Sequence, residues 1–353
     1  MSFSSKIIHW YQEEGRQLPW RNIDNPYFIW LSEIILQQTR IEQGMEYYFH
    51  FIQTYPTVAD LADASEEQVL KSWQGLGYYS RARNLHSAAQ YIVEHFDGKF
   101  PDNYDDICSL KGVGPYTAAA VASFAFKLPY PVIDGNVYRL ITRIFGIYTP
   151  VPSNAAYKEL ETLLKSLMDM NRPDLFNQAM MDYGSMVCKP MNPDCSSCIF
   201  ANECVAFQKG KVDVLPVKIA PPKVKERYFY YLDVAWTKDG EWHTWVQCRT
   251  GKDIWRGLYE FLLKESEAEW NDQQLVNFAK DFCKEYFSVN PQKISLSSQF
   301  VHKLTHQTIK ARFVRVVFDA EPLANPLNLQ SVTSFQMKTL PISRLIDRYL
   351  SKK

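Results

Sequence analysis

Apolar residues recur at helical spacing through the first three fifths of the chain. The segments with this spacing are 27–38, 41–54, 81–95, 116–126 and 154–168. Short turn formers, such as Tyr55-Pro56 and Gly98, separate them. Because no long stretch alternates with a period of two residues, the pattern predicts an all-α domain.

The pattern changes beyond residue 215. Segment 216–226 carries three prolines among lysines and predicts an extended linker. Segments 228–236, 242–249 and 310–318 are rich in aromatic and β-branched residues and predict strands, while 270–287 predicts one amphipathic helix. The sequence therefore predicts a helical domain at 1–215, a linker at 216–226 and an α+β domain at 227–353.

Composition and charge add less information than the hydrophobic pattern. The chain has 353 residues, a length at which proteins usually divide into two domains, and no apolar run long enough to span a membrane. Its beginning lacks a secretion signal, so we expect a cytoplasmic protein without a membrane partner. Up to residue 215 there are 18 basic against 24 acidic residues, and beyond it 21 against 15. An acidic first part counts against nucleic-acid binding, so any case for DNA must come from motifs.

Four of the seven cysteines form a short cluster with the spacing C-x6-C-x2-C-x5-C. They are Cys188, Cys195, Cys198 and Cys204. Two disulfides are a poor alternative in a chain without a secretion signal. The spacing indicates a closed structural metal centre, and by itself leaves zinc and an iron–sulfur cluster equally open.

Two glycines stand directly before an alanine-rich helix, in Lys111-Gly112-Val113-Gly114. Glycines let the backbone approach a ligand closely, and a helix N-terminus offers unpaired N–H groups to phosphate. A tight turn without a ligand is the simpler alternative for such a short motif.

Two carboxylates stand out. Glu33 lies among apolar residues of a predicted helix, where burial would raise its pKa, although it could equally occupy the polar face. Asp134 precedes an apolar helix and could simply cap it, as could Asn136. Two carboxylates in different environments suit the cleavage of a bond between a sugar and its leaving group.

Several motifs in order resemble the adenine DNA glycosylase family of the endonuclease III superfamily. They are LPWR at 18–21, SEIILQQTR at 32–40, QGLGYYSRARNL at 74–85, VGPYTA at 113–118 and DGNV at 134–137. The cysteine spacing resembles the [4Fe–4S] loop of that superfamily, and LKGVGPYTA resembles its helix-hairpin-helix. The resemblance implies a multidomain protein: an all-α helix-hairpin-helix glycosylase domain with a [4Fe–4S] loop, and an α+β Nudix-like C-terminal domain.

The resemblance also implies roles in catalysis. Glu33 would protonate adenine, Asp134 would stabilise the oxocarbenium ion, and Asn136 and Tyr116 would position these groups. Bifunctional members carry a lysine where this chain has Tyr116, and a phenol cannot form an imine. We therefore expect hydrolysis without efficient strand cleavage.

The remaining roles that the resemblance implies concern DNA and the metal centre. They are a duplex wedge (Gln38, Tyr78), contacts near the oxidised guanine (Thr39, Leu76), a strand grip (Lys111, Gly112, Gly114), an adenine pocket (Trp20, Arg21) and [4Fe–4S] ligands (Cys188, Cys195, Cys198, Cys204). Of the adjacent Tyr78 and Tyr79, we expect one to pack only in the core.

The second domain departs from the family at one point. Where the family has Phe-Ser-His against the oxidised guanine, this chain has Leu304-Thr305-His306, which keeps a hydroxyl and loses an aromatic ring. Segment 253–261 is similar to the Nudix-like domain, but the catalytic Nudix box is absent, so we expect no pyrophosphatase activity.

Together these observations predict a monomeric, nucleoid-associated, monofunctional glycosylase. Its expected substrate is double-stranded DNA containing adenine opposite 8-oxoguanine or guanine. Two alternatives stay open: a pyrimidine glycosylase/lyase of the endonuclease III type, and a catalytically inactive DNA-binding iron–sulfur protein. Tyr116 opposes the first, and the pair Glu33 and Asp134 opposes the second.

Overall fold

The structure, a computed structural model, describes residues 1–220, 224–288, 290–322 and 329–352. The chain divides into two compact units. The first comprises Met1–Asp63 and Asn84–Ala220, and the second comprises Ala64–Arg83 and Pro221–Lys353. Within the described residues, no helix is both long and apolar enough to cross a membrane.

The first three fifths of the chain are helical, as predicted. The helices are α1 (Phe3–Glu14), α2 (Pro26–Leu36), α3 (Ile41–Thr54), α4 (Val58–Asp63), α5 (Glu66–Ser72), α6 (Ser80–Phe96), α7 (Tyr104–Ser109), α8 (Pro115–Phe126), α9 (Gly135–Phe145), α10 (Asn154–Leu167), α11 (Pro173–Met186) and α12 (Val205–Gln208). Helix α5 and the start of α6 belong to the second unit.

Local sequence explains where the helices of the site begin. Asn25 caps α2 with its side chain, and Pro26 occupies the first turn, where its missing N–H costs nothing. Helix α8 begins after Gly114 with Pro115 in its first turn. Helices α9 and α11 approach closely because residue 184 is a glycine: a Cβ there would lie 2.7 Å from the carbonyl oxygen of Asn136.

The second unit contains a mixed sheet with helices, which confirms the predicted α+β class. Its elements are β1 (Lys225–Lys238), β2 (Glu241–Cys248), β3 (Tyr259–Glu260), β4 (Leu262–Ser266), α13 (Asp272–Phe287), β5 (Lys293–Leu296), β6 (Phe300–Lys303), β7 (Gln307–Phe318), β8 (Gln330–Thr333), α14 (Ser334–Thr339) and α15 (Arg344–Leu350). Strands β1 and β7 pair in parallel, and the other pairings are antiparallel.

The core of this unit lies between the sheet and α13. Leu275, Ala279 and Cys283 of the helix pack against Trp236 and Val314 of the two central strands. These helix positions are four residues apart, which is the spacing of one helix face. The register of β1 and β7 runs from Lys225↔Gln307 to Trp236↔Phe318, so the start of β1 lies beside the turn before β7.

The structure differs from the expected division at two places. Residues 64–83 lie inside the predicted domain 1–215, but they form part of the second unit. The predicted linker 216–226 is not free chain at either end: Val151 exchanges backbone hydrogen bonds with Val217 and Ile219, and β1 already begins at Lys225. Residues 221–223 of that linker lie outside the described residues.

Candidate active site and cysteine centre

A cavity of about 560 Å³ in the first unit is lined by all four predicted catalytic residues. The predicted site residues that line it are Trp20, Arg21, Glu33, Gln38, Thr39, Gly114, Tyr116, Asp134 and Asn136. They come from α2 and the turn after it, the start of α8, the start of α9 and the loop after α1, so segments more than 100 residues apart in sequence converge here.

Glu33 is buried in the wall of this cavity, with 7% of its surface exposed. The Tyr116 hydroxyl donates a hydrogen bond of 2.7 Å to Oε2 of Glu33. Burial raises the pKa of Glu33, while this hydrogen bond and the nearby Arg21 oppose the rise. The carboxyl group is therefore biased toward its protonated form, as a proton donor at neutral pH requires.

Asp134 is both a helix cap and a cavity residue. Its Oδ1 accepts hydrogen bonds from the backbone N–H groups of Asn136 (2.9 Å) and Val137 (2.7 Å), which caps α9. Its Oδ2 accepts a 2.7 Å bond from the Asn136 side chain. Burial raises the pKa of Asp134, and these hydrogen bonds lower it. The capping alternative is thus correct, and it leaves the carboxylate at the cavity.

Asn136 continues into a further set of hydrogen bonds. Its Oδ1 accepts from Arg139 Nη2 at 2.9 Å, and Arg139 Nε donates to the backbone carbonyl of Cys188 at 2.7 Å. The orientation of Asn136, and through it that of Asp134, is therefore fixed by a guanidinium that also contacts the cysteine loop.

The buried carboxylate of Asp182 fixes two arginines that line the cavity, Arg16 and Arg21. Asp182 is fully buried and accepts from the backbone N–H of Arg16 (3.0 Å), from Arg16 Nε (3.1 Å) and from Arg21 Nη2 (3.3 Å). Arg21 also donates to the Tyr11 hydroxyl at 3.1 Å. The Trp20 ring packs edge-on against Tyr48, with 5.2 Å between centroids.

The glycine turn at the start of α8 has the conformation that glycine favours. Gly112 has φ +81°, and a Cβ there would lie 2.7 Å from Cβ of Asn84. Lys111 and Gly114 are exposed. Gly114 precedes the 12-residue helix α8, whose first N–H groups have no side-chain cap. These features fit a turn that accepts a phosphate.

Gln38 is exposed and has φ +56°, in the left-handed region that side chains other than glycine seldom adopt. Thr39, which follows it, is partly buried at the cavity. Such conformations concentrate at functional sites, where neighbouring structure holds them.

The second unit has its own cavity of about 320 Å³, lined by Tyr78, Thr305 and His306 among others. The hydroxyl groups of Tyr78 and Thr305 are hydrogen-bonded to each other. Tyr78 is 46% exposed and Tyr79 is 5% exposed, so one of the two packs in the core. Leu76 is also buried, with 7% exposed, and does not line this cavity.

The four clustered cysteines line one small cavity, although they are spread over 17 residues. The Cys198 sulfur accepts hydrogen bonds from the Tyr183 hydroxyl (3.1 Å) and the Phe200 N–H (3.4 Å). Arg143 donates to the Cys188 sulfur at 3.5 Å. Burial and the neighbouring thiols raise the pKa of Cys195. Four thiols with N–H and O–H donors around them form a set that suits a metal–sulfur centre.

Sequence reasoning missed three residues of the first site: Arg16, Arg139 and Asp182. Asp182 had a detectable signal, because it is a charged residue in the apolar sequence Met180-Met181-Asp182-Tyr183, much like Glu33 in α2. Arg139 offered none, since a basic residue on a helix ordinarily faces solvent.

This helical fold, with the buried Glu33 and the partly buried Asp134 at one cavity, is that of a base-excision DNA glycosylase. A family model described as HhH-GPD superfamily base excision DNA repair protein matches residues 31–168. A solved thermostable thymine-DNA glycosylase is similar, with a TM-score of 0.55 and 30% identity, covering 59% of this chain and 95% of that chain.

Curated relatives give the family. The adenine DNA glycosylase of Buchnera aphidicola from Acyrthosiphon pisum is 32% identical over 308 residues, or 86% of this chain and 83% of that protein. The human adenine DNA glycosylase is 41% identical over 223 residues, or 61% of this chain and 41% of that protein. The chain belongs to the adenine DNA glycosylase family.

Proposed function

We propose that this enzyme hydrolyses the N-glycosidic bond of adenine in double-stranded DNA, where adenine lies opposite 8-oxoguanine or guanine. The observation that carries the proposal is the cavity lined by both carboxyl groups, Glu33 and Asp134, with the Tyr116 phenol bonded to Glu33. The adenine must leave the base stack to reach this cavity, at a cost of a few kcal/mol.

In this mechanism Glu33 gives its proton to the extruded adenine, which makes the base a better leaving group. Asp134, held by Asn136, stabilises the positive charge that develops on the sugar as the bond breaks. Water then adds to the sugar and gives its proton to the Glu33 carboxylate, which restores the acid, while Tyr116 offers no amine to attack the sugar. Trp20 and Arg21 line the adenine pocket, and Asp182 fixes Arg21.

DNA binding rests on the two exposed wedge residues and the glycine turn. We assign Gln38 and Tyr78 to the duplex wedge and the turn at Lys111, Gly112 and Gly114 to the strand backbone. Left-handed backbone at both Gln38 (φ +56°) and Tyr78 (φ +48°) supports the first assignment. The uncapped start of α8 supports the second.

We assign a [4Fe–4S] cluster to Cys188, Cys195, Cys198 and Cys204. The support is that the four thiols line one small cavity and that their spacing resembles the [4Fe–4S] loop of the endonuclease III superfamily. The cluster would act as a structural clip beside Arg143 and α11.

Recognition of the oxidised guanine is assigned to the second unit, at Thr305 and His306. The support is the cavity that these residues share with Tyr78. Loss of one hydrogen bond to the lesion is expected to reduce binding by about two- to tenfold, so Thr305→Val should lower the preference for 8-oxoguanine over guanine by that factor.

A single-turnover assay on defined duplexes tests the proposal. The purified protein should release adenine from A:8-oxoguanine and A:G duplexes and leave the strand intact before alkali treatment. Release of oxidised pyrimidines with strand cleavage would favour the endonuclease III-type alternative, and tight binding without base release would favour a catalytically inactive protein.

A further inference from the structure

The lesion cavity of the second unit has a wall that no sequence motif assigned. Trp255 lines it together with Tyr78, Thr305 and His306. It belongs to the loop between β2 and β3, and the sequence marks this loop only as similar to a Nudix-like domain. The wall is aromatic, and it stands in the cavity where Leu304 replaces the aromatic residue of the family.

The backbone of Trp255 is unusual. Its φ is +61°, a left-handed conformation that a bulky side chain seldom adopts. The ring is 9% exposed and packs edge-on against His302, with 5.5 Å between centroids, and against Phe229, with 6.2 Å. A conformation of this kind persists only where the surrounding structure fixes it.

Two arginines fix this loop. Arg227 donates two parallel hydrogen bonds to the carboxylate of Asp253, of 2.9 Å and 2.7 Å. Arg249 donates from Nε to the Ile254 carbonyl at 2.8 Å and from Nη2 to Asp253. The loop closes with a 3.0 Å bond from the Leu258 N–H to the Trp255 carbonyl. A guanidinium that donates two parallel hydrogen bonds to a carboxylate fixes both the distance and the orientation of the two groups.

Arg227 also contacts the other side of the same cavity. Its Nη1 donates to Oε1 of Gln307 at 3.1 Å, and Gln307 directly follows Thr305-His306. A second fork to Glu265, with both bonds at 2.7 Å, holds the guanidinium itself in place. One side chain, with 11% of its surface exposed, therefore connects two of the three segments that line the lesion cavity.

We propose that Arg227 is a positioning residue that acts through Asp253 to hold the Trp255 ring as the aromatic wall of the lesion cavity. Trp255 thereby supplies the stacking surface that Leu304 cannot, and the ligand is a flat oxidised purine whose edge meets Thr305. This inference rests on the proposed role of the second unit in lesion recognition.

The test uses the full-length protein and one ratio: the single-turnover rate of adenine release opposite 8-oxoguanine divided by that opposite guanine, with protein in excess over DNA but below the concentration that saturates binding. Loss of one aromatic contact predicts that Trp255→Leu lowers this ratio by about three- to tenfold. Arg227→Lys keeps the positive charge but loses the paired hydrogen bonds to the carboxylates, and should lower the ratio by a similar factor. Loss of folded protein affects both rates equally and cancels in the ratio.

Arg312→Lys is the matched control. Arg312 lies on β7, pairs with Asp272 and bonds the Ser297 carbonyl, yet does not line the cavity, so its ratio should equal that of the wild type. The double variant Arg227→Lys/Trp255→Leu should have the ratio of Trp255→Leu alone, because Arg227 acts through Trp255.

The outcomes separate the two proposals. A wild-type ratio of one would refute lesion recognition by this protein, and this inference with it. A wild-type ratio above one that Trp255→Leu leaves unchanged would overturn only the assignment of Trp255. A double variant in which the two losses multiply would show that Arg227 acts independently of Trp255, which overturns its positioning role.

Discussion

The hydroxyl of Tyr116 donates a 2.7 Å hydrogen bond to Oε2 of Glu33. A donor of this kind stabilises the ionised carboxylate, whereas burial of the same group stabilises the neutral acid. Burial is the larger effect, so the pKa of Glu33 stays raised. The two residues together therefore set the pH range in which Glu33 can give up a proton.

Tyr116→Phe tests this balance. Without the hydroxyl the pKa of Glu33 should rise further, and the alkaline limb of the pH–rate profile should move to higher pH. Loss of the positioning bond should also lower the rate at neutral pH by about two- to tenfold. Single-turnover rates between pH 5 and 9 measure both effects. An unmoved alkaline limb would mean that another group controls it.

Glu33→Gln should bind the mispaired duplex and release adenine about 10²–10⁴-fold more slowly, because an amide cannot donate the proton. The same variant has a predictable effect on stability. With a raised folded pKa, the contribution of Glu33 is fully present at low pH and is lost as pH rises through that value. As the pH rises from 5 to 8, the melting temperature of the variant should therefore increase relative to that of the wild type. Near-wild-type adenine release would remove Glu33 from the mechanism.

Asp134 has two roles that substitution can separate. Asparagine caps helices about as well as aspartate, so Asp134→Asn should preserve the stability of the fold and still lose about 10²–10³-fold in rate through the missing charge. Asp134→Ala should lose the same rate and, in addition, about 0.5–2 kcal/mol of unfolding free energy. If Asp134→Asn remained active, the residue would be a cap alone.

Tyr116→Lys places an amine at the cavity beside Glu33 and should introduce strand cleavage. The product would be trapped by borohydride as a covalent protein–DNA adduct, because an imine forms with the sugar. The wild type should give no such adduct, and an efficient one would contradict hydrolysis by water alone.

Cys198→Ser removes the sulfur that accepts from Tyr183 and Phe200. The wild type should be yellow-brown and contain four irons per chain, as a [4Fe–4S] centre requires, whereas the variant should lose iron and melt at lower temperature. Cys248→Ser, at an exposed thiol outside the cluster, is the control and should keep its iron. One zinc in a colourless wild-type preparation would refute the cluster.

Sequence patterns predicted the individual elements well, because each depends on its own residues. The segment predicted at 41–54 is helix α3 without change, and the predicted cap Asp134 begins α9. Strands β1 and β7 were predicted too short, since the first residues of both strands and the last two of β1 are polar, and pairing with neighbouring strands makes them part of the sheet.

Sequence could not predict contacts between distant side chains. The role of Asp182 depends on Arg16 and Arg21, more than 160 residues away, and helix periodicity holds no record of such a contact. Leu76, expected near the oxidised guanine because of its motif, is buried to the same degree as Glu33, so burial alone does not decide that expectation. Motifs identify which residues matter together, but they do not record which side chains contact one another.

Residues 64–83 join a unit whose other members begin at 221. In a chain synthesised from its N-terminus, this segment emerges well before any strand that it packs against. Leu70 and Trp73, which are buried in the folded protein, are therefore synthesised about 140 residues before the rest of the unit. Long-range closure of this kind is slow and leaves apolar surface open to aggregation. We therefore expect the completion of the second unit to limit refolding of the whole protein, and chaperone dependence to be greatest before the last strands are made.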